Sequence, residues 1–170
     1  MTTARRGVAV LLLLTAAVAQ PVLIGVLPLP LGGPSLPLLV LAVVALVGGP
    51  TAGVGAGFGL GLVSDLASTH PLGQTALALT VVGYLAGLAH GTLERSLVVP
   101  LAVVAGVSAA GPLLVAAVAQ ITGGGEATAR SLARGVTGPV VYDVLLAPLL
   151  VPLLARLLVD VDAGDPPPRA

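Results

Sequence analysis

Long apolar stretches follow one another along this chain, punctuated by glycine and proline and hardly ever by a charged residue. Only 8% of its 170 residues are charged and 56% are hydrophobic, where a soluble domain carries about 25% charge. A water-soluble fold of this size needs polar cover that so few charges do not supply, so the pattern predicts an integral membrane protein. In lipid, backbone groups find no water and an open sheet leaves an edge unpaired. The spans are therefore expected to be helices, and the fold all-α.

Six stretches lie between breakers, at about Gly7 to Leu27, Leu36 to Val47, Ala52 to Leu66, Leu72 to Ala89, Leu97 to Ile121 and Val140 to Val159. Together they predict a polytopic bundle of about six transmembrane helices forming a single domain over residues 1–159. Merging the second and third would give a helix of about 46 Å, too long for a hydrocarbon core of about 30 Å. Gly48, Gly49 and Pro50 fall between them and predict a tight hairpin, with a re-entrant second segment as the alternative. Past Val159, the acids Asp160, Asp162 and Asp165 and the prolines 166–168 predict a disordered tail over 160–170.

With Arg5 and Arg6 on the cytoplasmic side, six crossings also place Arg95, Arg156 and Arg169 there, and leave Arg130 and Arg134 outside. Both termini are then cytoplasmic. A five-span arrangement balances the arginines less well. Glu126, Arg130 and Arg134, spaced four apart, read as a short helix on the outer surface whose charged row meets a partner or is a solvated face closing a loop.

Several kinds of chemistry lack their residues. Cysteine and lysine are absent and net charge is zero, which removes disulfides, thiolate metal sites and a basic nucleic-acid surface. The glycines form neither a phosphate-binding loop nor a dinucleotide fingerprint, and Ser64 beside Asp65 lacks a nucleophile elbow. His70 and His90 fall on opposite sides of the bilayer in this topology. No catalytic residue, metal site or cofactor is assigned.

What stands out is the placement of small and acidic residues. Gly53, Gly57 and Gly61 recur every fourth position in span three, and Gly83, Gly87 and Gly91 repeat the spacing in span four. Ala102, Gly106 and Ala110 do so in span five. Small residues let membrane helices approach to backbone distance, so spans three and four are expected to pack as an antiparallel glycine-faced pair. Asp65 and Asp143 lie near the outer ends of spans three and six. Carboxylates at such depth anchor neighbouring helices or a partner, or else simply sit at helix ends near headgroups.

Read in order, Gln20-Pro21, Gly49-Pro50 with Gly53 to Asp65, Pro71-Leu72-Gly73, Gly83-Tyr84-Leu85-Ala86-Gly87, Pro139-Val140-Val141-Tyr142-Asp143 and Ala147-Pro148 resemble the bacterial rod-shape-determining MreD family over nearly the whole chain. This chain has Ser35-Leu36-Pro37 where the family often has an acid or amide, and Asp143 where asparagine is common. The resemblance implies a non-enzymatic subunit of the cell-elongation machinery in the bacterial cytoplasmic membrane, which scaffolds lateral peptidoglycan synthesis. It would bind MreC directly and work with MreB, RodA and a class B penicillin-binding protein, with Asp65, Tyr84, Tyr142 and Asp143 as candidate partner-binding or structural polar residues. It further implies a fold similar to the membrane substrate-binding components of energy-coupling-factor transporters. That likeness raises the alternative of a small-molecule-binding transporter subunit, against which the scarcity of aromatic residues weighs.

Arg5 and Arg6, the apolar run and Ala17-Val18-Ala19 before Gln20 imitate a cleavable secretory signal. The apolar character continues to Leu27, so the segment is expected to remain as the first helix. Intact mass of the membrane-extracted protein checks this, since cleavage after Ala19 would remove the first span.

Overall fold

The computed structural model describes residues 3–26, 29, 33–68, 72–92, 98–121 and 129–163. These form α1 (Thr3–Val26), α2 (Leu36–Leu66), α3 (Gln74–Gly87), α4 (Val98–Ile121) and α5 (Ala129–Ala163). Four of them, α1, α2, α4 and α5, contain stretches long and apolar enough to cross a membrane. The fourteen residues of α3 span only about 21 Å, short of a full crossing.

The second and third expected spans are one element by hydrogen bonding but not one rod. Gly49 within α2 has φ 79° and ψ −174°, outside helical values and in a region that suits glycine. Past it the chain doubles back. A Cβ placed on Gly53 would stand 3.1 Å from the Cβ of Ala45, eight residues away, whereas an unbroken helix separates such residues by about 12 Å. Leu46 and Val47, at the end of the first half, accept from the ends of other helices: the carbonyl of Leu46 bonds His90 Nδ1 at 2.9 Å, and that of Val47 bonds an Arg5 guanidinium nitrogen at 3.5 Å.

Every residue from 38 to 47 is buried. A helix that is apolar on all sides is stable only when other helices surround it, and this half of α2 forms the centre of the core. Ala9, Leu13 and Ala16 of α1 join it, with Leu79 and Val82 of α3, Val104 and Val107 of α4, and Ala147 and Val151 of α5.

Three boundaries differ from the sequence expectation. Pro139 does not begin the last helix, because α5 starts at Ala129 and runs through Pro139, Pro148 and Pro152. The separate surface helix expected around Arg130 and Arg134 is therefore the first turns of α5, while Glu126 lies outside the described residues. Helix also continues through Asp160 and Asp162 to Ala163, into the stretch expected to be disordered; residues 164–170 lie outside the described ones.

Among the described helices α2 and α3 share the most extensive interface, and the second half of α2 meets α3 at backbone distance. A Cβ at Gly53 would fall against the Gly83 carbonyl, 2.7 Å from its carbon, and one at Gly83 would meet Gly53 in return. One at Gly57 would stand 2.6 Å from the carbonyl carbon of Leu79. At Gly61 it would stand 2.5 Å from the nitrogen of Ala76, and at Gly87 2.5 Å from the Cα of Pro50. Partners rise in number along one helix as they fall along the other, so the pair is antiparallel. Backbone-to-backbone contact of this kind supplies the dispersion energy that lipid, as apolar as leucine, does not supply by exclusion.

Gly91 has no part in this seam. It lies beyond α3 in a turn at φ 80°, exposed, with open space where a side chain would be. Of the small-residue row of α4, only Ala110 packs against the core; Ala102 and Gly106 are exposed, and α4 turns Val104, Val107, Ser108 and Gly111 inward.

The seam predicts an asymmetric response to a single methyl. Gly57→Ala and Gly83→Ala should each destabilise the detergent-solubilised protein by about 1–3 kcal/mol through overpacking. Gly106→Ala, with nothing within 4 Å, should leave the melting temperature unchanged or raise it, as removing a helical glycine adds up to about 1 kcal/mol.

Candidate functional site

Polar side chains are few inside this bundle, and they gather where helices begin. A helix start leaves about four N–H groups without intrahelical partners, and in a hydrocarbon setting water does not fill them. Gly73 precedes α3 and has no side chain with which to cap it. Asp65 does so from the end of α2. Its carboxylate accepts from Gly73 N–H at 2.8 Å, Thr75 N–H at 3.0 Å and Ala76 N–H at 3.2 Å. The side chain is only 1% exposed, and three donors on a carboxylate explain how it is held there.

A second cluster secures the start of α2. Asp143, fully buried on α5, accepts from Ser35 N–H at 2.8 Å and from the hydroxyl of Ser108 on α4 at 2.6 Å. Gln20 of α1 completes it, donating to the carbonyl of Pro34 at 2.7 Å and accepting from Leu36 N–H at 2.9 Å. Four segments distant in sequence thus meet at the point where the core helix begins. At the head of α3, buried Gln74 also reaches the carbonyl of Val115 on α4 at 3.4 Å, leaving its own side-chain oxygen without a partner.

The two carboxylates hold separate sets of donors. Asp65 engages the first turn of α3, and Asp143 engages Ser35 and Ser108, so the two do not share a reacting centre. Among the described residues, no three His, Asp or Glu side chains group as metal ligands would. His90 meets the carbonyl of Leu46, and His70 lies outside the described residues. Tyr84 is 47% exposed on α3, and Tyr142 is half-buried. Of the candidate polar residues, then, Asp65 and Asp143 face inward onto the protein's own backbone, while Tyr84 faces out.

The partners of these acids were hard to find in the sequence. Ser108 stands out only as a hydroxyl in the middle of an apolar helix, and Gln20 as an amide at the end of one. A polar residue at membrane depth is the signal in both cases, but it does not say which helix it serves.

The family description "rod shape-determining protein MreD" matches this chain over residues 3–161, which includes nearly all of the helical bundle and both carboxylates. No curated protein and no solved structure matches it.

Replacing either acid should act through the backbone donors it satisfies. Asp65→Ala leaves the amides of Gly73, Thr75 and Ala76 without their acceptor, the buried Ala76 amide alone at about 1–3 kcal/mol, and should lower the melting temperature in detergent by about 5 °C or more. Asp65→Asn keeps one acceptor oxygen and should fall between. Asp143→Ala, which strands Ser35 N–H and the Ser108 hydroxyl, should lower it as well, and Ser108→Ala alone should cost less.

Proposed function

Because the chain belongs to the rod shape-determining MreD family, we propose that it is a non-enzymatic, multi-pass subunit of the bacterial cell-elongation machinery in the cytoplasmic membrane. In this reading it binds the bitopic protein MreC and holds it in a complex with MreB, RodA and a class B penicillin-binding protein during lateral peptidoglycan synthesis. The family match over residues 3–161 carries the proposal.

The architecture supports such a role. Asp65, Asp143, Gln20, Gln74 and Ser108 are spent on joining its own helices, while the outer faces of α3 and α5 carry apolar rows. On α3, Leu77, Val81, Tyr84 and Leu85 are exposed, as is Leu88 just past its end, and on α5 Leu145, Leu149 and Leu153. Faces of this kind suit lipid and the transmembrane helices of other proteins. Six passes with both termini cytoplasmic remain the proposed topology, the short α3 completing its crossing with the turns that flank it at residues 72–73 and 88–91. The break at Gly49 supports counting α2 as two passes, and the arginine distribution supports the orientation. The transporter-subunit alternative needs aromatic rings that converge on a ligand, yet Phe58 and Tyr84 both point outward.

Tagged MreC should retain the intact chain through mild-detergent purification, and depletion of the chain should turn rod-shaped cells round. Failure of MreC to retain a chain that remains folded and abundant would refute direct binding, whereas normal rods after depletion would refute the elongation role itself. Tyr84→Ala, exposed and outside the core, should leave the melting temperature unchanged whatever its effect on MreC retention.

A further inference from the structure

A groove of about 550 Å³ runs between α1 and the second half of α2. We propose that it seats one acyl tail of an anionic glycerophospholipid, whose phosphate pairs with Arg6 at the groove's end. The inference depends only on the bundle lying in a bilayer, not on any protein partner.

Charge placement is the first argument. Arg6 and Thr51 both line the groove, and both lie at the Gly49 turn. The bond from Arg5 to the Val47 carbonyl brings the start of α1 to that turn, while Gln20, bonded to Pro34 and Leu36, fixes the far end of α1 at the start of α2. Away from that end the lining is apolar, with Leu13, Leu14, Leu60 and Val63 among its walls. A cation and a hydroxyl at one end of an otherwise apolar channel complement a lipid with a phosphate head and a hydrocarbon tail. Exposed Arg6 is free to present its planar donors to phosphate oxygens.

Length decides between a lipid tail and a partner helix. The α1 wall runs from Arg6 to Ala17 and the α2 wall from Thr51 to Val63, about 16 and 18 Å at helical rise. One leaflet of a hydrocarbon core of about 30 Å is about 15 Å deep, so the groove accommodates a tail from headgroup to midplane. A crossing helix would need a wall twice as long.

The glycines of α2 supply an independent argument. Gly53, Gly57 and Gly61 face α3, and none can take a methyl without a clash. Gly55 and Gly59 line the groove, and a Cβ on either meets nothing within 4 Å. Glycine inside a helix is destabilising relative to alanine, and the protein's own packing gives no reason for these two. An occupant lying against bare backbone does.

Native mass spectrometry of the detergent-purified full-length protein tests the proposal, with phosphatidylglycerol and phosphatidylcholine as competing probes. The wild-type chain should retain one phosphatidylglycerol in preference to phosphatidylcholine. Arg6→Gln should reduce that preference about tenfold, and the double substitution Gly55→Leu with Gly59→Leu should abolish retention of both lipids at an unchanged melting temperature. If Arg6→Gln keeps the full preference, or if the leucine-filled groove still holds the lipid, the proposal is overturned. It is equally overturned if the leucine variant loses MreC while its lipid retention stays intact, which would make the groove a helix seat. Should the leucine variant melt early, Gly55→Ala with Gly59→Ala replaces it, and undiminished lipid retention there counts against the proposal.

Discussion

A helix that starts inside a membrane protein carries a cluster of N–H donors into a place where water does not follow, and at the starts of α3 and α2 this structure meets them with side chains. Asp65 meets the donors at the head of α3; Asp143 and Gln20 meet those at the head of α2. The arrangement of the other helices follows from these bonds. Asp143 is on α5, its second donor Ser108 is on α4, and Gln20 is on α1, so satisfying the start of the core helix draws three outer helices to one point. Carboxylates suit the task because one group accepts several donors at once, and a bond to an ionised acceptor is about twice as strong as a neutral one.

The second constraint is that lipid gives helices little reason to associate. Where a soluble bundle gains from excluding water, this one gains from contact between backbones, and the glycines of α2 and α3 bring two helices close enough for it. The two constraints work together. Asp65 sets the position of α3 along α2, since it must reach Gly73, Thr75 and Ala76 together. In that register Gly53 meets Gly83, and Gly57 meets Leu79. A shift by one residue would put side chains where only a hydrogen fits. The glycines permit the approach, and the carboxylate selects which approach is made.

Much of this was legible in the residues. Fourfold glycine spacing marks a bare helix face, and Gly48-Gly49-Pro50 marks the turn that divides α2. The limits of legibility have physical causes. Pro139 reads as a helix start because proline lacks an N–H, yet α5 passes through it, as membrane helices tolerate an internal proline. Spacing put Gly91 in line with Gly83 and Gly87, but the helix ends first. Asp65 and Asp143 announce themselves as acids at depth, while their donors lie 8 to 108 residues away and become neighbours only on folding. Nor does periodicity separate Gly57, pressed against α3, from Gly55, which opens onto the groove, because both faces of that helix are small.

That division of one helix into a closed and an open glycine face bears on how such a protein works among others. With Asp65, Asp143, Gln20 and Gln74 turned to its own helices, the bundle leaves mainly apolar side chains along the exposed rows of α3 and α5 and bare backbone at Gly55 and Gly59. Recognition along those faces therefore rests on shape, and Arg6 adds charge at one end of the groove. A surface of that kind binds through close fit over area, so its selectivity is sensitive to whatever fills its hollows. A lipid tail seated beside α1 would complete the wall of the second half of α2 and become part of the surface that a neighbouring helix meets. Lipid composition and protein assembly would then be linked through a single groove, without any change in the helices that form it.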